Sequence, residues 1–355
     1  MNAFWREASP ARRAVGLWLL VIAAMIGVMV VLGGATRVSG SGLSIMEWAP
    51  LAGVVPPLSG AEWRRLFALY RQIPQYHLLH EGMDLAGFQH IFWLEWTHRL
   101  WGRLMGVAFF LPLVVFWWRG WLARRLVARL LGVFVLGGLQ GAVGWFMVAS
   151  GFFPDSTAVA PARLVIHLGL ALALYAAVLW TAFSELIPDP AGARVVLVRA
   201  GARLTLALVA LTILAGGFVA GLHAGLDYNT FPLMDGHLVP VGYARLSPIW
   251  RNFDENIAAV QFDHRLLASL ALLAALLTLV AASGQRARLS PLARRALAAL
   301  GGVIFLQFLL GVTTLLLVVP APLAVLHQAG AVLALTASLF TVYVLRVLDL
   351  RKDVP

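Results

Sequence analysis

Apolar residues fall into eight runs of about twenty residues or more, separated by segments rich in polar residues, glycine and proline. About twenty apolar residues in a helix cross the hydrocarbon core of a bilayer, which is roughly 30 Å thick. The pattern predicts membrane-spanning helices at about 14–34, 90–118, 126–148, 162–183, 202–222, 258–282, 297–319 and 323–345. Two connections are long, about 35–89 and 223–257. The others are short, so successive helices should be antiparallel neighbours.

The composition agrees with a membrane protein. Of 355 residues, 61% are hydrophobic and 12% are charged, whereas a soluble domain carries about a quarter charged residues. The mean hydropathy is +0.85. The absence of cysteine from this sequence excludes a disulfide, a thiolate haem ligand and an iron–sulfur cluster. The sequence therefore predicts an all-α integral membrane protein.

The net charge of +11 comes from arginine and lysine at alternate ends of the predicted spans. The clusters are Arg6, Arg12 and Arg13; Arg119, Arg124, Arg125 and Arg129; Arg194, Arg199 and Arg203; Arg286, Arg288, Arg294 and Arg295; and Arg346, Arg351 and Lys352. This positive-inside pattern predicts a multi-pass protein of the bacterial cytoplasmic (inner) membrane with both termini cytoplasmic, or in the matrix if the membrane is mitochondrial. The basic residues orient the chain in lipid, and we expect no nucleic-acid partner.

Spans one to four repeat as spans five to eight. The shared landmarks are Gly33-Gly34 and Gly216-Gly217, EWTHRL and QFDHRL, Leu-Gln at 139–140 and 306–307, and VIHLG and VLHQAG. Four spans per half insert with the same orientation, so the repeats are parallel about an axis along the membrane normal. We expect two tandem four-helix bundles related by a pseudo-twofold axis. The first covers 1–190 with outer loop 35–89, and the second covers 191–355 with outer loop 223–257.

Four histidines lie within the predicted spans: His98 and His167 in the first half, and His264 and His327 in the second. A histidine in hydrocarbon is costly and marks a functional site by default. Each pair comes from the second and fourth helices of its half, so two imidazoles could face each other across a flat macrocycle. Imidazole is a common axial haem ligand, whereas structural zinc needs four ligands. We predict two sites in which a histidine pair binds haem iron. The alternative is a buried histidine bonded to a backbone carbonyl, which the duplication disfavours.

The remaining five histidines belong to outer loops or to the membrane edge, where surface or loop-packing roles are expected. They are His77, His80, His90, His223 and His237. His223 and His237 could also shape the outer rim of the second site.

An arginine directly follows the first histidine of each pair: Arg99 and Arg265. One interpretation is a charge partner for haem propionates, since the guanidinium fork binds carboxylates with two hydrogen bonds. The other is an interfacial arginine that extends to lipid phosphate. The equal offset in both halves favours the propionates.

The halves differ three residues before that histidine, with Glu95 in the first and Gln261 in the second. Positions i and i+3 share a helix face, so Glu95 is a candidate proton acceptor or cation stabiliser beside the first site. The alternative is an interfacial carboxylate paired with Arg99 or Arg103. Asp263 should face elsewhere and serve as a supporting or loop partner. The difference predicts chemistry in the first half and a resident cofactor in the second.

These residues resemble the haem A synthase family over nearly the whole chain. The resemblance rests on GLSIMEWAPLAGVVPPLSGAEWRRLFALYRQIPQY, FQHIFWLEWTHRLWGRLMG, LQGAVGWFMVASG, AGLDYNTFPLMDG and SPIWRNFDENIAAVQFDHR. The chain is most similar to the branch found in alphaproteobacteria and mitochondria. Members of other branches carry a cysteine pair in outer loops, so a thiol-dependent step proposed for them cannot apply.

The resemblance implies oxidation of the C8 methyl of haem O to a formyl group, giving haem A for cytochrome c oxidase. It further implies that His98 and His167 serve the substrate haem O, that His264 and His327 ligate a haem b cofactor, and that Glu95 is catalytic. Haem O synthase, cytochrome c oxidase assembly factors and membrane lipid are the expected partners. A homo-oligomer is left open.

Two other functions stay open from the sequence. The first is a membrane cytochrome b that carries electrons between two resident haems, each bound by two histidines, without substrate chemistry. The second is a haem or solute transporter. Glu95 opposite Gln261 argues against the first, and spans without interruptions at mid-membrane argue against the second.

Overall fold

A computed structural model describes residues 8–50, 52–188, 190 and 195–347 of the chain. Arg6, Arg194, Arg351 and Lys352 of the predicted basic clusters lie outside these residues. The α-helices are α1 Pro10–Val38, α2 Gly60–Tyr70, α3 Pro74–Leu79, α4 Leu85–Trp118, α5 Arg124–Ala149, α6 Pro161–Leu186, α7 Val196–Gly221, α8 Ile257–Ser283, α9 Pro291–Leu316 and α10 Ala321–Val344.

All eight predicted spans are confirmed, because eight helices are long and apolar enough to cross a membrane. Within the described residues there is no β-strand, and the only ladder contact is an isolated bridge between Met234 and His237. The protein is therefore an all-helical, multi-pass membrane protein.

Several helices begin earlier than the apolar runs predict, and polar caps explain the early starts of α4 and α9. α7 and α9 begin at 196 and 291 rather than 202 and 297. Ser290 accepts a hydrogen bond from the Ala293 N–H ahead of α9, and Pro291 is the first residue of that helix. Asp84 caps α4 by accepting a hydrogen bond from the Gly87 N–H, so the helix begins at Leu85, five residues before the predicted start at 90. Such N-caps contribute about 0.5–2 kcal/mol each.

The spanning helices of each half contact one another in the same order. In the first half α1 and α5 each pack against both α4 and α6, and in the second half α7 and α9 each pack against both α8 and α10. The halves pack together mainly through α1 with α10, α6 with α7, and α6 with α10.

Glycines allow the halves to approach closely at two corresponding places. Gln328 on α10 lies over Gly34 of α1 and donates a hydrogen bond of 2.6 Å from its amide nitrogen to the Val30 carbonyl. At the corresponding place Leu168 on α6 packs over Gly217 of α7, where an added Cβ would lie 3.2 Å from the Leu168 Cδ2. Small residues are typical of close helix contacts in membranes. Only the Gln328 contact is polar.

The long segment between α1 and α4 was predicted as an outer loop, and it folds against α4. The short helices α2 and α3 cover a buried cluster of Leu43, Tyr70, Ile73, Tyr76, Phe88, Ile91 and Phe92. Gln75 is buried and donates hydrogen bonds of 3.2 Å to the carbonyls of Gly40 and Thr157. The segment is therefore fastened both to the end of α1 and to the turn before α6.

Polar contacts also join the helices at the opposite ends of the spans. Arg12, near the start of α1, forms an ion pair of 3.0 Å with Glu185 near the end of α6. Tyr343 in α10 is buried and donates from its hydroxyl to the Ile187 carbonyl. Arg346 donates a hydrogen bond of 2.7 Å to the same hydroxyl. These contacts lie at the end of the spans where the basic clusters gather.

Candidate functional site

The two spanning histidines of the second half lie face to edge. The ring centroids of His264 on α8 and His327 on α10 are 6.5 Å apart, and the ring planes are inclined at 87°. Metal–imidazole bonds are about 2.0–2.1 Å long. The spacing is close to that of two imidazoles bound to one metal ion.

Each of the four spanning histidines lies against a glycine of the preceding spanning helix. A Cβ added to Gly33 would lie 3.2 Å from the His98 Nε2, and one added to Gly216 would lie 3.0 Å from the His264 Cε1. A Cβ added to Gly144 would lie 2.9 Å from the His167 Cε1, and one added to Gly311 would lie 2.8 Å from the His327 Cε1. The same glycine–histidine contact thus occurs four times, and larger residues would displace the rings.

The ring nitrogens differ in their partners. His264 Nδ1 lies 3.0 Å from the Thr212 carbonyl oxygen. A carbonyl can only accept, so Nδ1 carries the proton and Nε2 keeps its lone pair in the neutral ring. His167 Nδ1 is buried and has no hydrogen-bond partner within the described part of the chain. His264 Nε2 and His167 Nδ1 are therefore both available to bind a metal ion.

A glutamine from the preceding helix supports the second histidine of each pair. Gln140 on α5 donates a hydrogen bond of 2.9 Å from Nε2 to the backbone carbonyl of His167. Gln307 on α9 makes the same bond to His327, at 2.8 Å. The Leu-Gln landmark of the sequence repeat therefore has one structural role in both halves.

Glu95 is buried, with 3% of its surface exposed, and all of its partners are donors. One carboxylate oxygen accepts hydrogen bonds from the Ser44 hydroxyl at 2.7 Å and the Ile45 N–H at 2.9 Å. The other is paired with Arg99, one helical turn away, at 3.0 Å from Nε. Arg99 also donates to the carbonyls of Ile45 and Glu47. The pair thus fastens the start of the outer segment to α4.

Gln261 occupies the same place in the second half, with the hydrogen-bond polarity reversed. It is 2% exposed, and its amide nitrogen donates to the carbonyls of Ala224 and Asp227, at 2.6 Å each. Its amide oxygen accepts from Arg265 at 2.7 Å. The first half therefore surrounds the Glu95 carboxylate with hydrogen-bond donors. The second half provides backbone carbonyls that accept hydrogen bonds from the Gln261 amide nitrogen.

The two predicted propionate partners also bond the outer segments in the structure. Arg265 donates to the carbonyls of Tyr228 and Thr230, and its buried Nε has no hydrogen-bond partner among the described residues. The Arg99 guanidinium lies 5.8 Å from the ring centre of Trp145. Trp145 stacks on Trp48 of the outer segment, with ring centroids 6.1 Å apart. The propionate contact stays a prediction.

The other residues singled out from the sequence make no hydrogen bond to the four rings within the described part of the chain. Asp263 accepts a hydrogen bond of 2.8 Å from the Tyr243 hydroxyl, so it bonds the second outer loop. His80 contacts the Tyr70 hydroxyl through Nδ1, and burial lowers the pKa of His80 and raises that of Tyr70. The other four histidines of the outer loops and the membrane edge are exposed: His77, His90, His223 and His237. His223 adopts a left-handed backbone conformation, with φ of 52°.

The residues present fit a flat metal-centred group held between two imidazoles better than a cage of several ligands. Among the residues described, no three His, Cys, Asp or Glu side chains converge as a metal site. The glycine contacts, the free Nε2 of His264 and the unsatisfied His167 Nδ1 all favour ligation by two histidines.

Sequence reasoning missed the supporting residues. Gly33, Gly216 and the two glutamines were noticed only as repeat landmarks, although a glycine four residues after each glutamine was visible in both halves. Ser44 and Thr212 act through contacts with residues about fifty positions away, at 2.7 Å to Glu95 and 3.0 Å to His264. No local sequence signal marks such contacts.

The fold and these residues define an all-helical membrane protein with a repeated histidine pair, and the comparisons with known proteins give its family. A family model described as cytochrome oxidase assembly protein, COX15-CtaA, matches residues 16–339. The chain belongs to this family.

Curated relatives are similar over nearly the full length. A protein named Heme A synthase from Granulibacter bethesdensis is 57% identical, covering 96% of this chain and 91% of the relative. Heme A synthase 2 of Acidiphilium cryptum is 47% identical, over 96% and 94%. A Heme A synthase of a Methylobacterium species is 51% identical, over 93% and 91%. The resemblance predicted from the sequence is confirmed.

Proposed function

We propose that the protein is a haem A synthase, an oxidoreductase that converts haem O into haem A. Family membership over residues 16–339 and relatives of that name at 47–57% identity support this function. The reaction oxidises the C8 methyl group of haem O to a formyl group. The product serves cytochrome c oxidase, in keeping with the description of the family as oxidase assembly proteins.

The assignment of different functions to the two halves rests on the exchange of Glu95 for Gln261 at corresponding places in the repeat. Glu95 is paired with Arg99 and surrounded by donors, whereas Gln261 is a neutral amide that bonds carbonyls. Oxidation of a methyl group releases protons, and a carboxylate can accept them. The first half, residues 1–190, is therefore the substrate bundle, and the second, residues 191–355, is the cofactor bundle.

A difference between α5 and α9 supports the same assignment. Counted from the shared glutamines, Gly137, Gly138 and Gly141 of α5 correspond to Ile304, Phe305 and Phe308 of α9. Added Cβ atoms on the three glycines would meet nothing within 4 Å. Haem O carries a long farnesyl tail that haem b lacks. The open side of α5 suits this tail, and the corresponding face of α9 carries bulky side chains.

In this account His98 and His167 hold the iron of the substrate haem O, and His264 and His327 hold that of a haem b cofactor. When bound, haem b supplies one-electron transfer. Gly33, Gly144, Gly216 and Gly311 leave space for the rings beside the helices.

Glu95 accepts a proton from the substrate side while Arg99 holds the carboxylate in place. Trp145 lies beside Arg99 and stacks on Trp48 of the outer segment. Arg265 is the better supported propionate partner, because its Nε is buried and unsatisfied.

The membrane is the bacterial cytoplasmic (inner) membrane, with both termini in the cytoplasm, as the basic clusters at one end of the spans indicate. This arrangement places the histidine pairs towards the outer face. Haem O reaches the site from a haem O synthase, and haem A leaves towards oxidase assembly factors.

Co-expression with a haem O synthase in a host that makes no haem A tests the function. Haems are extracted from the membranes and separated by chromatography. Formation of haem A, absent without this protein, supports the synthase. Membranes that contain haem b and unchanged haem O would contradict it and favour the dihaem electron carrier.

A further inference from the structure

We propose that Gln140 and Gln307 are positioning residues that accept a hydrogen bond from the imidazole N–H of His167 and His327 when the other ring nitrogen binds iron. The proposal rests on the haem ligation in the proposed function. It assigns a role to the Leu-Gln landmark, and it concerns the second histidine of each pair.

Both halves share the contact between the glutamine and the histidine backbone, whereas the ring nitrogen that faces the glutamine differs between them. Each glutamine donates from Nε2 to the backbone carbonyl of its histidine, at 2.9 Å for Gln140 and 2.8 Å for Gln307. Each amide also lies beside the imidazole. Gln140 Nε2 is 3.5 Å from the His167 Nε2, and Gln307 Nε2 is 3.1 Å from the His327 Nδ1.

Both glutamines leave an acceptor without a donor. The Oε1 atoms of Gln140 and Gln307 are buried and have no hydrogen-bond partner among the described residues. The ring nitrogen of His167 that faces Gln140 is Nε2, so the buried, unsatisfied Nδ1 is the nitrogen left for the iron, and Nε2 is the potential donor. Unpaired buried polar groups are rare in folded proteins. Here a potential donor and an unsatisfied acceptor lie on neighbouring side chains.

Ligation would give both groups a partner. A neutral imidazole carries one N–H and one lone pair, so a ring that gives its lone pair to iron must present an N–H elsewhere. Ligating histidines almost always donate that N–H to an oxygen, which fixes the orientation of the ring and raises its basicity. Oε1 is the oxygen available to His167 and His327. This bond requires the amide to turn so that Oε1 faces the ring nitrogen that Nε2 now contacts.

His264 shows the corresponding arrangement with a fixed acceptor. Its Nδ1 lies 3.0 Å from the Thr212 carbonyl oxygen. The second half would therefore hold one ligand through a backbone oxygen and the other through the Gln307 side chain. Only the side-chain acceptor can be changed by substitution.

The test compares Gln307→Leu and Gln307→Glu in the purified full-length protein, by haem content, electron paramagnetic resonance and midpoint potential. Leu removes the acceptor, so haem b should be bound about 10–100-fold more weakly, and the potential should rise because the ligand is less basic. Glu is a stronger acceptor and should lower the potential. Opposite shifts support the proposal. Equal shifts, or none, would overturn it.

Gln140→Leu is the matched control in the other half. It should leave the haem b signal at the wild-type potential and weaken retention of haem O. If Gln307→Leu yields no folded protein, the direction of the shift in Gln307→Glu still decides. A wild-type protein without a bis-imidazole low-spin signal would instead contradict the proposed function. A normal wild-type signal that neither Gln307 variant shifts would contradict only the role of the glutamines.

Discussion

Glu95 and Arg99 form an ion pair one turn apart on α4, and at the same spacing on α8 Arg265 donates a hydrogen bond to the uncharged amide of Gln261. The arginine keeps its position, its spacing and its bonds to the outer segment in both halves. Only its partner changes, from a carboxylate to an amide. A buried charge is stable only where its partners compensate for its desolvation, and Ser44, Ile45 and Arg99 supply such partners in the first half.

Glu95→Gln should abolish most haem A formation while haem b stays bound. General acid–base residues contribute about 10²–10⁴-fold to rate, so a loss of about 100-fold or more is expected. The measurement is haem A produced per bound haem b in membranes that contain haem O.

Ser44→Ala is the matched control for Glu95. It removes the hydroxyl donor at 2.7 Å and leaves both the charge and the Arg99 pair, so the loss should be much smaller than for Glu95→Gln. Equal losses in the two variants would mean that the carboxylate only fastens the outer segment.

Gly311→Ala should release haem b, and Gly144→Ala should reduce retention of haem O. The new methyl carbons would lie 2.8 Å from the His327 Cε1 and 2.9 Å from the His167 Cε1. Overpacking of this kind costs about 1–3 kcal/mol, and here it tilts a ligand ring. Haem content by absorption spectroscopy measures the effect.

Gly302→Ala and Gly132→Ala are the controls, because added Cβ atoms at these positions on α9 and α5 would meet nothing within 4 Å. Alanine also has the higher helix propensity, so both variants should keep their haem and their thermal stability. If Gly311→Ala and Gly302→Ala kept equal amounts of haem b, the glycine contact would have no role in holding the ring.

Gly141→Phe, which copies Phe308 of the second half, should impair use of haem O. The aromatic ring would fill the open side of α5 that we assign to the farnesyl tail. We expect the KM for haem O to rise about tenfold or more, with haem b content unchanged. Gly141→Ala should behave as the wild type. An unchanged KM in Gly141→Phe would place the tail elsewhere.

The outer segment between α1 and α4 should loosen as the pH falls. Burial lowers the pKa of His80 below its ordinary 6.5, so the unfolded segment binds the proton more readily than the folded one. The stabilising contribution is complete above about pH 6.5 and is lost as the pH falls through the lower folded value. Protease cleavage within 70–80 should therefore be faster at pH 5 than at pH 7 for a protease active at both.

His80→Gln should remove this pH dependence, and His77→Gln should keep it, because His77 is exposed and lies outside the Tyr70 contact. A dependence that persists in His80→Gln would mean that another group titrates.

The spans were predictable because runs of about twenty apolar residues are typical of membrane-spanning helices and rare in soluble domains. The four histidines could be singled out as candidates because a pair of residues that are costly in a membrane occurs at matching places in both halves. The early start of α4 was a missed local signal, since Asp84 is a typical N-cap.

The remaining features depend on contacts between distant residues. Arg99 bonds the carbonyls of Ile45 and Glu47, and backbone acceptors have no sequence signature. The aromatic cluster under α2 and α3 was hidden because the segment is rich in glycine and proline and lacks a run of span length. Apolar residues scattered in a loop do not reveal which surface they cover.

The most direct test of two unequal haem sites is the haem content of purified single-half variants, produced together with a haem O synthase and analysed by chromatography. His264→Ala with His327→Ala should lose haem b, and His98→Ala with His167→Ala should keep haem b and lose haem O and haem A. Loss of the same haems from both double variants would contradict a reaction site in the first half beside a cofactor site in the second.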